Sequence, residues 1–255
     1  MRNIWVIFRK ELRSYFVSPV AYLLLAMFAI IFGFFFWNSL GYFVYMGIQS
    51  QMRGQSFPMN VNEELIRPLL SNISVVGLFL IPMITMRLFA EEKRTGTIEL
   101  LATSPITDMQ VILGKWFAAV VLYSGMLLLT AINFAFIFKY GHPDWKPLVI
   151  GYLGLLLQAG ALLAIGTFIS TLTKNQIIAG GATFGVCLLL WVLEWVSGYE
   201  TSTWAKVLSY MSVITHFESF AKGLLATKDA IFYVSVIFLG LFLTARSMES
   251  LRWRS

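Results

Sequence analysis

The sequence has little charge and almost no cysteine. Asp, Glu, Lys and Arg make up 13% of its 255 residues, against the ~25% that is typical of soluble domains. Hydrophobic residues make up 58%, so the composition excludes an ordinary water-soluble fold. The single cysteine, Cys187, cannot form a disulfide within the chain. The two histidines, His142 and His216, have no Cys, Asp or Glu at ligand spacing, and no metal site is predicted.

Long runs without any charged residue take the place of a soluble core. A helix rises ~1.5 Å per residue, so about twenty apolar residues cross a hydrocarbon layer of ~30 Å. Uncharged runs of this kind predict an all-α membrane protein with six transmembrane helices in one domain, 1–255. The predicted spans are about 20–42, 68–86, 116–138, 147–173, 175–193 and 230–245.

The first uncharged run, 14–52, is long enough for one helix with an exit segment or for a hairpin of two helices. Asn38, Ser39 and Gly41 interrupt it and favour one span over 20–42. With one span there and the amino terminus inside, the inner segments carry 12 of the 19 basic residues and the outer segments seven. The positive-inside rule selects this orientation. We therefore expect a multi-pass protein of the bacterial inner membrane with both termini cytosolic and no nucleic-acid partner.

Residues 3–16 have the pattern of an amphipathic helix before the first span. Apolar residues recur on one face and basic residues lie opposite, which is typical of a helix in the headgroup layer. Its basic face would meet anionic lipid or a cytosolic partner, and a plain lipid anchor remains an equal alternative. The residues that define this elbow helix are Trp5, Phe8, Arg9, Lys10 and Arg13.

The loop over 87–106 is longer than a connector between two spans requires. It begins with an apolar, acidic and basic stretch, breaks at Gly96 and stops at Pro105. Thr107 and Gln110 match a capping box, which places the start of the next helix near Asp108. A charge run that is merely solvated would also explain this loop.

Two patterns inside the spans concern helix packing. Pro82 frees a backbone carbonyl in the second span and is expected to kink it. Gly181 and Gly185 form a G-x-x-x-G pattern in the fifth span. That pattern allows close helix approach, and packing within the chain is the favoured interpretation over a dimer seam.

The loop with Glu92, Gly96, Thr97, Glu99 and Leu100 resembles the E-x-x-x-G-T-x-E-x-L motif of type-2 ABC transporter permeases. The elbow helix, the six spans and the outer segment 194–229 are similar to that family too, and the nearest likeness is to its gliding-motility-associated branch. The resemblance implies that the loop holds a coupling helix that docks on a separate ATP-binding subunit. The docking residues would be Glu91, Glu92, Lys93, Arg94, Gly96, Thr97, Glu99 and Leu100.

The same resemblance implies two permease chains, as a homodimer or a related heterodimer, and short re-entrant helices over 194–229. The chain has no G-x-x-x-x-G-K-[ST] motif of its own. We therefore expect no catalytic residue and no cofactor in this chain, with ATP and Mg bound by the partner subunit.

Two functions fit this partnership. One is the permease subunit of an ATP-driven exporter with an unidentified substrate. The other is a membrane subunit that relays ATPase strokes to a periplasmic or surface partner without moving cargo. A passive channel or secondary transporter fits less well, because those place ionisable groups or broken helices at mid-membrane.

Overall fold

Every regular element among the described residues is helical. A computed structural model describes residues 2–52, 60–97, 106–141, 143–199 and 203–252. The elements are α1 Arg2–Val17, α2 Pro19–Met52, a π-helical turn Asn62–Ile66, α3 Arg67–Thr85, α4 Ala90–Thr95, α5 Asp108–Gly141, α6 Trp145–Leu172, α7 Gln176–Tyr199, α8 Thr203–Tyr210, α9 Val213–Ala221 and α10 Thr227–Arg252.

Six stretches of helix are long and apolar enough to cross a membrane: α2, Asn62–Thr95, α5, α6, Gln176–Trp195 and Thr227–Ser250. This confirms the predicted all-α fold with six candidate spans. The stretch around α3 is the most enclosed of the six, because 67% of its most apolar 18-residue segment is buried. In α7 the corresponding share is 17%. The two helices therefore face different surroundings.

The first uncharged run forms one helix, α2, and no hairpin. It continues to Met52, ten residues beyond the predicted end of the span. The helix does not end near the interruption at Asn38, Ser39 and Gly41, and the Asn38 side chain donates to the Phe34 carbonyl one turn earlier, at 2.9 Å. A polar residue that is satisfied within its own helix does not break that helix.

Helix α6 lies at the centre of the bundle and contacts α3, α5, α7, α9 and α10. Four of its glycines allow this crowding. A methyl group at Gly151 or Gly166 would meet Leu70 or Thr85 of α3, and the same change at Gly154 or Gly160 would meet Phe220 of α9 or Ile237 of α10. Small residues let helix backbones approach closely in a membrane bundle. The sequence analysis did not single out these glycines.

The G-x-x-x-G pattern of α7 has the opposite surroundings. Gly181 and Gly185 are exposed, and a methyl group at either position would have no neighbour within 4 Å in the part of the chain that the structure describes. The favoured interpretation, packing within the chain, is therefore wrong for these two glycines. Their pattern reflects a face of α7 that the rest of the described chain leaves uncovered.

The segment between α7 and α10 contains two short helices, α8 and α9. Helix α9 packs into the bundle at Gly154, nine residues after the start of α6, which corresponds to ~14 Å along that helix. His216 of α9 is buried between two acceptors, Asp229 Oδ1 at 2.7 Å and the Tyr210 carbonyl at 2.8 Å. It also stacks on Phe232, so α8, α9 and α10 are joined at one point.

Candidate functional site: a buried charge cluster beside α4

Helix α4 is short, and a neighbouring span fixes where it begins. Helix α3 ends three residues after Pro82, and the backbone then turns over 86–89. The Ser170 hydroxyl of α6 accepts hydrogen bonds from the N–H groups of Phe89 and Ala90, at 3.0 and 3.1 Å. These contacts supply the cap that Phe89 itself cannot provide, since an N-cap needs a side-chain oxygen.

The carboxyl end of α4 is closed by Gly96. Its backbone has φ 75° and ψ 0°, the left-handed conformation that glycine adopts without steric cost. The hydroxyls of Thr95 and Thr97 lie 3.0 Å apart, and Thr95 donates to the Glu91 carbonyl at 3.0 Å. The break predicted at Gly96 is thus a helix cap. A methyl group there would meet no other described residue within 4 Å, so the glycine serves the backbone conformation.

Beneath α4 lies a cluster of three charged side chains from three helices. The ammonium group of Lys115 in α5 is 2.7 Å from Glu11 Oε1 of α1 and 2.9 Å from Glu92 Oε1 of α4. The Lys115 side chain is 2% exposed, and the two glutamates are 14% and 13% exposed. We call Glu11, Glu92 and Lys115 the charge cluster. It joins α1, α4 and α5 by contacts that their desolvated surroundings strengthen.

The charge cluster is close to neutral once its neighbour is included. Lys10 is exposed and lies 4.0 Å from Glu92 Oε1, so two ammonium groups face two carboxylates. The second oxygen of Glu92 is buried without a hydrogen-bond partner. The Lys115 ammonium also lies 5.2 Å from the centre of the Phe89 ring. Removing one charge from such a group leaves a buried partner uncompensated, which costs about 3–5 kcal/mol.

Two further contacts tie the same region to α2 and α6. Arg87 donates to the Ser18 hydroxyl at 3.1 Å, just before α2 begins, and to Glu91 at 2.9 Å. Lys93 donates to the Thr171 carbonyl at the end of α6. Helix α4 and its flanks are therefore fastened to α1, α2, α5 and α6 at once.

The predicted docking residues divide into an inner and an outer set. Arg94, Gly96 and Thr97 are exposed at the free end of α4, while Glu91 and Lys93 are half-buried in contacts with the chain. Glu92 faces inward onto Lys115, so its contact is with this chain. Glu99 and Leu100 lie outside the described residues. The docking role of the whole set stays a prediction.

Helix α1 spans Arg2–Val17, one residue more at each end than predicted. Its protein-facing side carries Ile7, Glu11 and Tyr15. A methyl group at Gly114 of α5 would come within 2.8 Å of Ile7, so the two helices are in close contact. Burial raises the pKa of the Tyr15 phenol well above its ordinary value. Of the predicted elbow residues, Phe8 is half-buried and the others, Trp5, Arg9, Lys10 and Arg13, are exposed.

The predicted start of α5 is confirmed at Asp108. Gln110 accepts from the Thr107 backbone N–H at 3.4 Å, which is half of the expected capping box. The same oxygen accepts from the Asn3 side chain at 3.1 Å and so ties α1 to the first turn of α5.

The sequence analysis missed Lys115, Glu11 and Ser170. Lys115 entered only as one of the 12 inner basic residues, directly before the predicted span 116–138. One signal was available: Glu11 is the only acidic residue before Glu63, and it stands among basic neighbours. That signal was weak, because an acid among basic neighbours can also pair within its own helix.

Comparison with known proteins agrees with this architecture. Residues 5–245 match the family described as "ABC-2 family transporter protein". The chain is also 26% identical over 168 residues to the "Probable multidrug ABC transporter permease YbhR" of Escherichia coli K12, and equally to that of strain O157:H7. The match covers 64% of this chain and 43% of each relative, so the chain spans under half the length of these relatives. The gliding-motility branch stays a prediction. With six apolar helices and a family match over nearly its whole length, the chain is a multi-pass membrane protein that belongs to the ABC-2 transporter family.

Proposed function

We propose that this chain is the permease subunit of an ATP-driven exporter of the bacterial inner membrane, with both termini cytosolic. A separate ATP-binding subunit docks on the exposed end of α4, where Arg94, Gly96 and Thr97 lie. Closure of the ATPases moves α4, and the membrane helices follow. The chain supplies the pathway, and its partner supplies hydrolysis.

The observation that carries this proposal is the attachment of α4. The charge cluster, Ser170, Lys93 and Arg87 fasten it to four other helices, whereas its free end has a surface open to a partner. A force applied at the free end would therefore reach α1, α2, α5 and α6 together. Packed helices respond as bodies because close-packed interiors do not deform continuously.

The docking role is tested by Arg94→Glu. Arg94 is exposed and forms no ion pair with another described residue, so the change leaves the fold of this chain intact. We expect the retained ATP-binding subunit to fall by about five-fold or more when the permease is purified from native membranes, as expected for a lost interfacial charge contact of ~1 kcal/mol. The measurement is quantitative immunoblotting of the co-purified subunit.

Lys146→Glu is the matched control, because Lys146 is exposed at the opposite end of the bundle from α4. It should retain the ATP-binding subunit at the native level. Equal retention in Arg94→Glu and Lys146→Glu would contradict docking at α4.

A second permease chain is proposed to pack on the open face of α7. Gly181 and Gly185 are exposed there, and Ile178 and Leu189 continue the same stripe with 59% exposure each. Glycines four residues apart allow two helix backbones to approach closely, with the larger side chains closing the contact at each end. In the type-2 ABC permeases that this sequence resembles, the fifth span lies near the dimer seam. The open face on the fifth span of this chain agrees with that position.

The double substitution Gly181→Leu with Gly185→Leu tests the dimer. The added side chains would hold a partner backbone away, and we expect the dissociation constant of the dimer to rise at least about ten-fold, or ~1.4 kcal/mol. Light scattering in detergent across a dilution series measures it. Gly41→Leu, at an exposed glycine of α2 with no neighbour within 4 Å, should leave the dimer unchanged. An unchanged dimer in the double variant would place the seam elsewhere.

Export and mechanical relay differ in what crosses the membrane. The two relatives are described as probable multidrug permeases, so cationic dyes are the first cargo to assay. ATP-dependent dye movement into inverted vesicles that hold the complex supports export. ATP turnover that responds to a periplasmic partner while no dye moves would favour relay.

A further inference from the structure

A groove lies between α1 and α5, beside the close contact of Ile7 with Gly114. It has a volume of about 510 Å³ and is lined by Ile4, Trp5, Phe8, Phe117 and Val121. Its size falls within the ~300–1,000 Å³ of sites that hold small molecules. All five lining side chains are aliphatic or aromatic, a surface that suits a hydrocarbon occupant.

A stripe of arginines borders this groove. Arg2, Trp5, Arg9 and Arg13 follow one another at spacings of three or four residues, which places them on one side of α1. All four are exposed, and Trp5 is both a wall of the groove and 64% exposed. Among the described residues no carboxylate forms an ion pair with Arg2, Arg9 or Arg13. These three guanidinium groups, which have no ion-pair partner in the described part of the chain, are available to an anion.

Helix α5 extends the groove away from the arginines. Its exposed side runs from Phe117 and Val121 to Leu128 and Ile132, with Gly125 between them. A methyl group at Gly125 would have no neighbour within 4 Å, so this stripe is indented at that point. The direction is from the first turns of α5 toward the middle of the span, the path of an acyl chain whose headgroup lies at the membrane boundary.

We infer that this groove binds one anionic phospholipid. An acyl chain lies between Trp5 and Phe8 of α1 and Phe117 and Val121 of α5, and the phosphate is held by Arg9 with Arg2 or Arg13. Charge complementarity favours phosphatidylglycerol or cardiolipin over a neutral phospholipid, because arginine forms strong paired hydrogen bonds with phosphate oxygens. The lipid joins α1 to α5 on the side away from the charge cluster.

Lipid retention by the full chain tests the inference. The protein is purified in mild detergent, supplied with equal amounts of phosphatidylglycerol and phosphatidylcholine, and analysed by native mass spectrometry. We expect a single retained phosphatidylglycerol. Arg9→Gln should weaken this retention about five-fold, since one cation near anionic lipid contributes ~1 kcal/mol. Val121→Trp should abolish it by filling the groove.

Two controls separate this site from ordinary surrounding lipid. Val149→Trp adds the same ring to an exposed position of α6 that does not line the groove, and Lys139→Gln removes an exposed cation at the far end of α5. Both should retain phosphatidylglycerol as the native chain does. Equal retention of the two lipids, or unchanged retention in Val121→Trp, would overturn the inference and leave the groove to annular lipid or to a helix of another chain. The readout requires neither ATP nor an ATP-binding subunit, so its outcome is independent of the proposed transport function.

Discussion

Lys115→Met is expected to destabilise the protein more than any other single substitution in the region of α4. The change leaves Glu11 and Glu92 as buried carboxylates without their shared cation, whose ammonium lies 2.7 and 2.9 Å from them. Loss of one member of a buried ion group costs about 3–5 kcal/mol. For a protein of this size that lowers the unfolding temperature by on the order of 10 °C. Thermal unfolding in detergent, followed by intrinsic fluorescence, measures it.

A triple variant shows whether the effect arises from unpaired charge. Lys115→Met combined with Glu11→Met and Glu92→Met leaves no charge in the charge cluster, so most of the lost stability should return. Lys139→Met removes an exposed cation from the other end of α5 and should change the unfolding temperature by little. If Lys115→Met had the same unfolding temperature as the native protein, the three side chains would not form the buried group described above.

Gly166→Leu is expected to separate α3 from α6. A methyl group at this position would already lie 2.7 Å from Thr85 Cβ, and a leucine reaches farther. Thr85 cannot turn aside easily, because it is buried and its hydroxyl donates to the Ile81 carbonyl at 3.1 Å. Overpacking of a close contact costs about 1–3 kcal/mol, and we expect the upper part of that range because two helix backbones must move. Resistance to unfolding by SDS measures the loss.

Gly33→Leu is the control for that experiment. Gly33 lies in α2, and a methyl group there has no neighbour within 4 Å, so the same added side chain enters open space. Its resistance to SDS should equal that of the native protein. A Gly166→Leu variant as resistant as Gly33→Leu would show that α3 and α6 do not approach as closely as described.

Local patterns allowed some features to be predicted from the sequence. The six candidate spans follow from runs without charge, since a membrane interior accepts few other segments. The start of α5 at Asp108 follows from Thr107 and Gln110, three residues apart. The break at Gly96 follows from a glycine that ends a charged helical stretch, although its left-handed conformation was not predicted. Each of these depends on residues that are neighbours in the chain.

Other features depend on pairs that are distant in the chain. Glu11 and Lys115 are 104 residues apart, and Phe89 and Ser170 are 81 apart. A lysine at the edge of a span has the same local pattern whether it reaches water or a buried carboxylate. For the same reason the contact of Glu92 with Lys115 could not be predicted from the sequence, and the docking role of Glu92 stays a prediction.

The glycines show this division most clearly. The sequence by itself determined that α6 and α7 are apolar helices with glycines at short spacings, because length, composition and period are local properties. Only the tertiary structure decided that Gly154 and Gly166 admit other helices of the same chain while Gly181 and Gly185 remain open. The physical reason is that a missing side chain stabilises a contact only when another backbone or side chain lies opposite, and the packing of the whole bundle decides which neighbour that is.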